Sequence, residues 1–309
     1  MTTRLGLSLP QTHQYDLGRD VPDVARAAEE IGYESLWVLE RALFPEPATQ
    51  GLYGVPGLPW PEAYRGLAEP LVTLTLAVSA TRRARLGTSV LVAPLHGPFQ
   101  LARTLGTLDA ASGGRVVAGF GTGWSLDEYA AAGVAPFEER GQVLDEVIGV
   151  CRAVWGQDPV VYEGRLTKIA SAVVAPKPAR PIPILLPANS KKALTRLVER
   201  ADGWMPVAMG VEQLAAQSRQ VRDAWAGQGR TEPLQSVARA NLQYTAKAYD
   251  GADRAPFQGS VEQIVADLAA HAEVGVEEFF LDFADAPRDA QELKDLAAEV
   301  YTAARAAGI

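Results

Sequence analysis

The sequence predicts a single (β/α)8 barrel with insertions, and three observations lead to this fold class. Eight short, mostly apolar segments have the pattern of strands buried on both faces, and helical patterns separate them. The chain has 309 residues, 48% of them hydrophobic, which is enough for an α/β barrel formed as one domain. No GxGxxG motif follows the first strand, as it would in a Rossmann domain. A closed barrel is therefore favoured over an open doubly wound sheet.

The predicted elements follow one another in a regular order along the chain. Strands are expected at residues 4–9, 35–39, 84–92, 116–120, 182–186, 203–207, 236–245 and 276–282. Amphipathic or capped segments predict helices at residues 20–31, 71–80, 98–111, 137–155, 190–199, 211–226 and 290–306, with further helices beginning at Ser125 and Ser260. Each strand is thus followed by a helical segment.

Two segments interrupt this order. Residues 42–69 follow the second strand and are rich in proline, glycine and aromatic residues, among them Phe44, Tyr53, Trp60 and Tyr64. The segment is too long for a βα turn and too apolar for a flexible linker, so it predicts an insertion packed at the ligand end of the barrel. An ordered surface loop without ligand contact is an equally open interpretation. Residues 160–174 predict a hairpin excursion.

Charge and composition exclude several classes of function. The 29 basic and 37 acidic residues give a net charge of −8, which disfavours nucleic acid or an anionic membrane as a partner. No signal peptide or bilayer-spanning run is evident, so we expect a cytoplasmic protein. Cys151 is the only cysteine and lies in the apolar stripe of a helix, where it is expected to fill the core. The three histidines show no ligand spacing, so no metal site is expected.

One stretch, residues 113–129, has the pattern of a ligand-binding turn. A buried strand leads into Gly121, Thr122, Gly123 and Trp124, where the glycines permit a close approach of backbone to ligand. Ser125 and Glu128 have the spacing of a capping box, so a helix is expected to begin here with its amides near the turn. This order of strand, turn and helix is typical of the ligand end of an α/β barrel.

In a barrel, functional side chains lie at the carboxyl ends of the strands. The sequence places there His13, Glu40, Arg41, Ser89, Val90, His96, residues 121–127, residues 187–192, Asp282 and Asp285. No Ser/His/Asp or Cys/His arrangement is spelled out locally, and Glu40 with Asp282 is one acid/base pair that the topology leaves open. The residues alone thus predict an anion-friendly site but not a reaction.

Four segments resemble the bacterial luciferase-like monooxygenase superfamily. They are residues 29–40 (EEIGYESLWVLE), 69–94 (EPLVTLTLAVSATRRARLGTSVLVAP), 108–129 (LDAASGGRVVAGFGTGWSLDEY) and 189–206 (NSKKALTRLVERADGWMP). The similarity covers about two thirds of the chain, and its details are most similar to coenzyme F420-dependent oxidoreductases. It implies a (β/α)8 barrel that uses reduced deazaflavin for hydride transfer to or from a small organic substrate.

The resemblance also implies roles for particular residues. Ser89 and Val90 would form a bulge with a non-prolyl cis peptide that supports the deazaflavin ring. Gly121, Thr122, Gly123, Trp124 and Asp127 would line the ring and ribityl chain, with Asp127 as a hydroxyl acceptor. The phosphate end would fall at Ala188, Asn189 and Ser190, where relatives commonly carry Gly-Gly-Asn-Ser. Glu40 and His13 are the implied proton donors.

The substrate pocket is expected at the insertion and the neighbouring strand ends, with Arg41, Phe44, Trp60 and His96 as its candidate residues. Their apolar and aromatic content favours a hydrophobic substrate. Two alternatives remain open: an FMN-dependent monooxygenase, and a non-catalytic barrel that binds flavin or a partner subunit. A homodimer is the assembly that the resemblance implies.

Overall fold

A closed barrel of parallel strands, surrounded by helices, forms the centre of the computed structural model, which describes residues 3–206, 209–284 and 286–309. Around the barrel the strands follow in the order 85–88, 35–38, 4–8, 278–282, 235–241, 203–204, 184–186 and 116–121, and the first of these pairs with the last to close the ring. The predicted (β/α)8 fold is confirmed. Val207, the last residue of the sixth predicted strand, and Asp285, a predicted site residue that follows the eighth, lie outside the described residues.

The observed elements agree closely with the predicted ones. The strands are β1 (Arg4–Ser8), β2 (Ser35–Val38), β3 (Arg85–Thr88), β4 (Leu91–Val92), β5 (Val116–Gly121), β6 (Val160–Glu163), β7 (Lys168–Ala172), β8 (Ile184–Leu186), β9 (Gly203–Trp204), β10 (Gln235–Asn241), β11 (Gln243–Tyr244), β12 (Gln258–Gly259) and β13 (Glu278–Asp282). The helices are α1 (Leu17–Ile31), α2 (Pro70–Ala80), α3 (Pro98–Ser112), α4 (Leu126–Ala132), α5 (Arg140–Trp155), α6 (Lys191–Arg200), α7 (Val211–Gly227), α8 (Val261–Ala272) and α9 (Ala290–Ala306).

Two predicted strands are divided. The segment at 84–92 forms β3 and β4, which are separated by a cis peptide bond between Ser89 and Val90. Both halves pair with β5, so the third position of the barrel is continuous in space. The segment at 236–245 forms β10 in the barrel and β11, which leaves the barrel to pair with β12.

The capping predicted from the sequence is observed in part. At α8, the Gln263 side chain accepts a hydrogen bond of 3.1 Å from the amide of Ser260, which is the return bond of a capping box. At α4, the Ser125 side chain accepts a hydrogen bond from the amide of Glu128, but the predicted return bond from Glu128 is wrong. The Glu128 carboxylate instead bonds to the segment that follows β2.

Large side chains fill the inside of the barrel. Trp37 and Phe280 are fully buried and stacked, with ring centroids 5.0 Å apart. They share an apolar cluster with Val117, Leu185, Met205 and Val237. The barrel is therefore a packed core, and a ligand can be held only at its ends.

The amino end of the barrel is closed by polar contacts around a buried carboxylate. Glu278, at the start of β13, is fully buried and accepts a hydrogen bond of 2.5 Å from the Ser35 hydroxyl. The guanidinium groups of Arg4 and Arg85 also bond to it. These contacts fasten β13 to β1, β2 and β3.

The outer core lies between the barrel and its helices. Cys151 is fully buried there in α5, as predicted, and burial raises the pKa of its thiol. Within the described parts of the chain, no helix is long and apolar enough to cross a membrane. The same residues contain no cluster of His, Cys, Asp or Glu arranged to hold a metal ion.

The stacked pair inside the barrel gives a test of this packing. Phe280→Ala removes a buried ring, so we expect the free energy of unfolding to fall by about 3–5 kcal/mol. Val173→Ala, at a side chain that is 79% exposed, is the control and should change stability little. Chemical denaturation measures both variants. A loss of less than about 1 kcal/mol in Phe280→Ala would show that the ring is not part of a tightly packed interior.

Candidate active site

Glu40 and His96 form a buried pair at the carboxyl end of the barrel. Glu40 follows β2, and its Oε1 lies 2.7 Å from Nε2 of His96. Its other oxygen accepts a hydrogen bond of 2.5 Å from the amide of Val92 in β4. Glu40 is 6% exposed and His96 26% exposed, so the carboxylate is hidden while the imidazole reaches the surface of the site. The hydrogen bond from the Val92 amide fixes the Glu40 carboxylate, and the carboxylate orients the His96 ring.

The protonation of His96 depends on this pair. Burial lowers the pKa of His96, whereas the hydrogen bond to Glu40 and the negative charge of Glu40 raise it. The raising effects together are larger, so the pKa of His96 lies above its usual 6.5. When the Glu40 carboxylate accepts the hydrogen bond of the Nε2–H group, Nδ1 is the nitrogen that gains or loses a proton. The pair therefore favours the protonated imidazole more than water does for a free histidine side chain.

The break between β3 and β4 lies beside the turn that follows β5. The predicted cis peptide between Ser89 and Val90 is confirmed. Val90 packs against the apolar cluster inside the barrel and also fills the space beside Gly121, where an added Cβ would lie 2.6 Å from Val90 Cγ2. Gly123 has φ +68°, and Val92 occupies the space beside it. Both glycines thus have a packing reason that is independent of any ligand.

Glu128 links three elements at this end of the barrel. Its side chain is 1% exposed and lies 3.0 Å from a terminal nitrogen of Arg41. Its second oxygen accepts a hydrogen bond of 2.8 Å from the amide of Ala42. Burial raises the pKa of Glu128, and the charge of Arg41 opposes this shift. α4, the end of β2 and the start of the insertion are therefore held together by one carboxylate.

The insertion, residues 42–69, packs onto the turn after β5. Thr49 donates a backbone hydrogen bond of 3.0 Å to Asp127 and a second bond from its hydroxyl. The side-chain amide of Gln50 donates to the carbonyl of Trp124 at 2.7 Å. Asp127, predicted as a ligand contact, thus has both carboxylate oxygens engaged by the insertion.

Aromatic rings extend these contacts. The Trp60 and Trp124 centroids are 4.8 Å apart, and Phe44 lies edge-on to Trp60 at 5.9 Å. The Arg41 guanidinium lies 5.0 Å from the centre of the Trp124 ring. Three of the predicted pocket residues, Arg41, Phe44 and Trp60, therefore form one layer with Trp124. Of the two interpretations of the insertion, the packed one agrees with these contacts.

The segment predicted to bind phosphate begins α6. Ser190 caps this helix by accepting a hydrogen bond from the amide of Ala193, and the carbonyl of Ala188 accepts one from Gln217. Asn189, Ser190, Lys191 and Lys192 are all exposed. A helix N-terminus with two neighbouring lysines favours an anion.

Other predicted residues lie apart from these contacts. His13 is exposed in the loop after β1, where its Cβ packs against Gly66 of the insertion. Thr122 accepts a hydrogen bond on its carbonyl from the Tyr129 hydroxyl. Glu40 and Asp282, which the sequence left open as an acid/base pair, each bond to another residue: Glu40 contacts His96, and Asp282 contacts Arg239.

Arg239 was missed by the sequence reasoning. It lies two residues after Val237, which faces the inside of the barrel, so it faces the same way nearer the carboxyl end. Its Nε donates to Asp282 at 2.7 Å. The sequence did contain one signal for Arg239, namely a charged residue at an inward-facing position near the end of a predicted barrel strand.

The similarity to known proteins extends over nearly the whole chain. A family model described as luciferase-like monooxygenase matches residues 3–299. The chain belongs to the luciferase-like monooxygenase family. An uncharacterized protein of Mycobacterium tuberculosis is 34% identical over 227 residues, which are 72% of this chain and 79% of that protein. The predicted resemblance is thereby confirmed.

Several proteins similar to this chain have named activities. An F420-dependent glucose-6-phosphate dehydrogenase of Amycolatopsis mediterranei is 28% identical over 190 residues, 60% of this chain and 53% of that protein. The structure of an F420-dependent secondary alcohol dehydrogenase has a TM-score of 0.76 at 18% identity and covers 98% of this chain and 99% of its own. The structure of a long-chain alkane monooxygenase has a TM-score of 0.77 at 14% identity, and the match covers 100% of this chain and 92% of that protein. The two structures support the barrel fold.

Glu128 provides a test of how the site is held together. Glu128→Gln leaves the buried Arg41 without its full ionic partner, so we expect the free energy of unfolding to fall by roughly 3 kcal/mol. Proteolytic cleavage within the insertion should become faster, because its anchor at Ala42 is weakened. Glu163→Gln removes an exposed ion pair with Lys168 and is the matched control. Equal stability and equal cleavage in the two variants would contradict the anchoring role.

Proposed function

We propose that this chain is an oxidoreductase that uses coenzyme F420 for hydride transfer to or from a small organic substrate. The observation that carries the proposal is the Glu40–His96 pair at the carboxyl end of the barrel, beside the Ser89–Val90 bulge and the turn after β5. F420-dependent relatives support the coenzyme. The flavin-dependent monooxygenase remains the alternative.

The residues present fit a deazaflavin or flavin. Val90 and Trp124 are half-buried and offer apolar surface for a ring at the mouth of the barrel. The exposed start of α6, with Lys191 and Lys192, offers donors and positive charge for a phosphate. Pro187 and Ala188 stand where relatives commonly carry two glycines. Side chains and the start of α6, rather than a flexible backbone, would therefore hold the phosphate of the coenzyme.

The chain's own contribution to the reaction would be proton transfer and positioning. When bound, reduced F420 supplies a hydride, and a substrate carbonyl that receives it at carbon also needs a proton at oxygen. His96 carries that proton at Nδ1 while Glu40 stabilises the imidazolium through Nε2. In the opposite direction, neutral His96 accepts the proton of an alcohol. The insertion, fixed by Glu128 and Asp127, would exclude water from this end of the barrel.

Binding titrations of the purified protein test the coenzyme. We expect F420 to bind more tightly than FMN, followed by the change in absorbance or fluorescence of each compound. Lys191→Ala/Lys192→Ala should weaken F420 binding roughly tenfold, because charge-assisted contacts to phosphate are lost. Lys247→Ala, at another exposed lysine, is the control.

Each other outcome of the titration points elsewhere. Tight FMN binding without F420 binding would favour the monooxygenase alternative. Binding of neither compound would contradict both enzymatic proposals and favour a non-catalytic barrel that binds a partner.

A further inference from the structure

A small cavity lies beside the mouth of the barrel, on the side away from α4. It is lined by the loop after β1, the 3-10 helix at Glu62–Gly66 and the ends of β10 and β13. Its polar lining residues include Thr12, Tyr64, Arg239 and Asp282. Its volume is about 40 Å³, which is room for a small functional group but not for a ring.

The hydroxyl of Thr12 lacks a partner at this cavity. Thr12 is 8% exposed, and its Oγ1 is buried without a hydrogen bond to any described residue. Leaving a buried hydroxyl unpaired is unfavourable, so such a group indicates that something else completes its hydrogen bonding. An oxygen atom placed in the cavity would do so.

Arg239 supplies donors but little net charge. Its Nε and one terminal nitrogen bond to the same oxygen of Asp282, whose other oxygen accepts a hydrogen bond of 2.9 Å from the amide of Ala284. The remaining terminal nitrogen of Arg239 takes no part in these contacts. Because Asp282 balances the guanidinium, a carboxylate in the cavity would meet a neutral ion pair and a nearby negative charge. An uncharged oxygen avoids that repulsion.

Tyr64 adds a second neutral group to the lining. Burial raises the pKa of Tyr64 to about 12, so its phenol keeps its proton at neutral pH. Thr12, Tyr64 and the Arg239–Asp282 pair thus contribute a neutral hydroxyl, a neutral phenol and a balanced ion pair to the lining.

We propose that this cavity is a substrate subsite that accepts one uncharged oxygen, a carbonyl or hydroxyl group, with Thr12 and Arg239 as its recognition residues. The inference rests on the proposed function, since it places here a part of the oxidoreductase's substrate other than the oxygen that His96 protonates. The rest of the substrate, too large for the cavity, extends toward the mouth of the barrel. Specificity for an oxygen-bearing substrate is thus attributed to β10, β13 and the loop after β1.

Three probe compounds of similar shape test the subsite. Acetophenone carries a carbonyl, α-methylstyrene replaces that oxygen with a methylene group, and benzoate carries a charged carboxylate. Their affinities for the protein without added coenzyme are measured by ligand-observed NMR. We expect acetophenone to bind roughly three- to tenfold more tightly than α-methylstyrene, the effect of one hydrogen-bonded group, and benzoate to bind no better than α-methylstyrene.

Thr12→Val removes the hydroxyl with little change of shape. We expect it to fold normally and to lose the preference for acetophenone, while its affinity for α-methylstyrene stays unchanged. Thr73→Val, at a buried threonine of α2 whose hydroxyl bonds to the carbonyl of Glu69, is the matched control and should keep the preference. Arg239→Gln should also weaken acetophenone binding, as Thr12→Val does.

Several results would overturn the subsite: equal affinities for acetophenone and α-methylstyrene, tightest binding of benzoate, an unchanged preference in Thr12→Val, or no binding of acetophenone up to its solubility limit. The coenzyme titration separates this inference from the proposed function. A protein that binds neither F420 nor FMN but keeps the Thr12-dependent preference would refute only the proposed function. F420 binding without that preference would refute only the subsite.

Discussion

The buried carboxylate of Glu128 is the contact on which the carboxyl end of this barrel depends. It bonds to Arg41 and to the amide of Ala42, and it belongs to the helix that follows β5. Removing a charged group from water is costly unless partners replace the lost hydration, so this carboxylate commits Arg41 and the insertion to one position. Arg41 in turn lies against Trp124, and Glu40 is its neighbour in the chain. The proton-holding pair is therefore positioned on the same framework as the aromatic layer.

The fold was predictable because its signals are local. Strands buried on both faces give short apolar runs, and residues such as Ser125 and Ser260 mark where helices begin. The bulge at Ser89 and Val90 was different, since periodicity across residues 84–92 is continuous there. Only the resemblance to a known family located it. Local pattern thus identified the elements, while family likeness identified a backbone irregularity within one of them.

The site was less predictable because its pairs join distant parts of the chain. Topology placed Glu40 at a strand end, but its partner His96 lies 56 residues further on and reaches it only because β4 continues the line of β3. Glu128 was predicted to be a capping residue because its spacing from Ser125 fits a capping box. That spacing carries no sign of its distant partners, Arg41 and Ala42. Arg239 is an inward-facing charge in a predicted strand, which alone does not indicate a site. Its contact with Asp282, on a neighbouring strand, is visible only in the structure.

Glu40 raises the pKa of His96 above its usual 6.5 through a hydrogen bond and its negative charge. Nitrogen NMR of the imidazole rings measures this pKa directly, since the chain has only three histidines and a His96→Gln sample assigns the signal. We predict that His96 titrates with a pKa above 6.5 and that Glu40→Gln lowers this pKa, because burial then acts without the opposing charge. A His96 pKa at or below 6.5 in the unmodified protein, unmoved by Glu40→Gln, would contradict it.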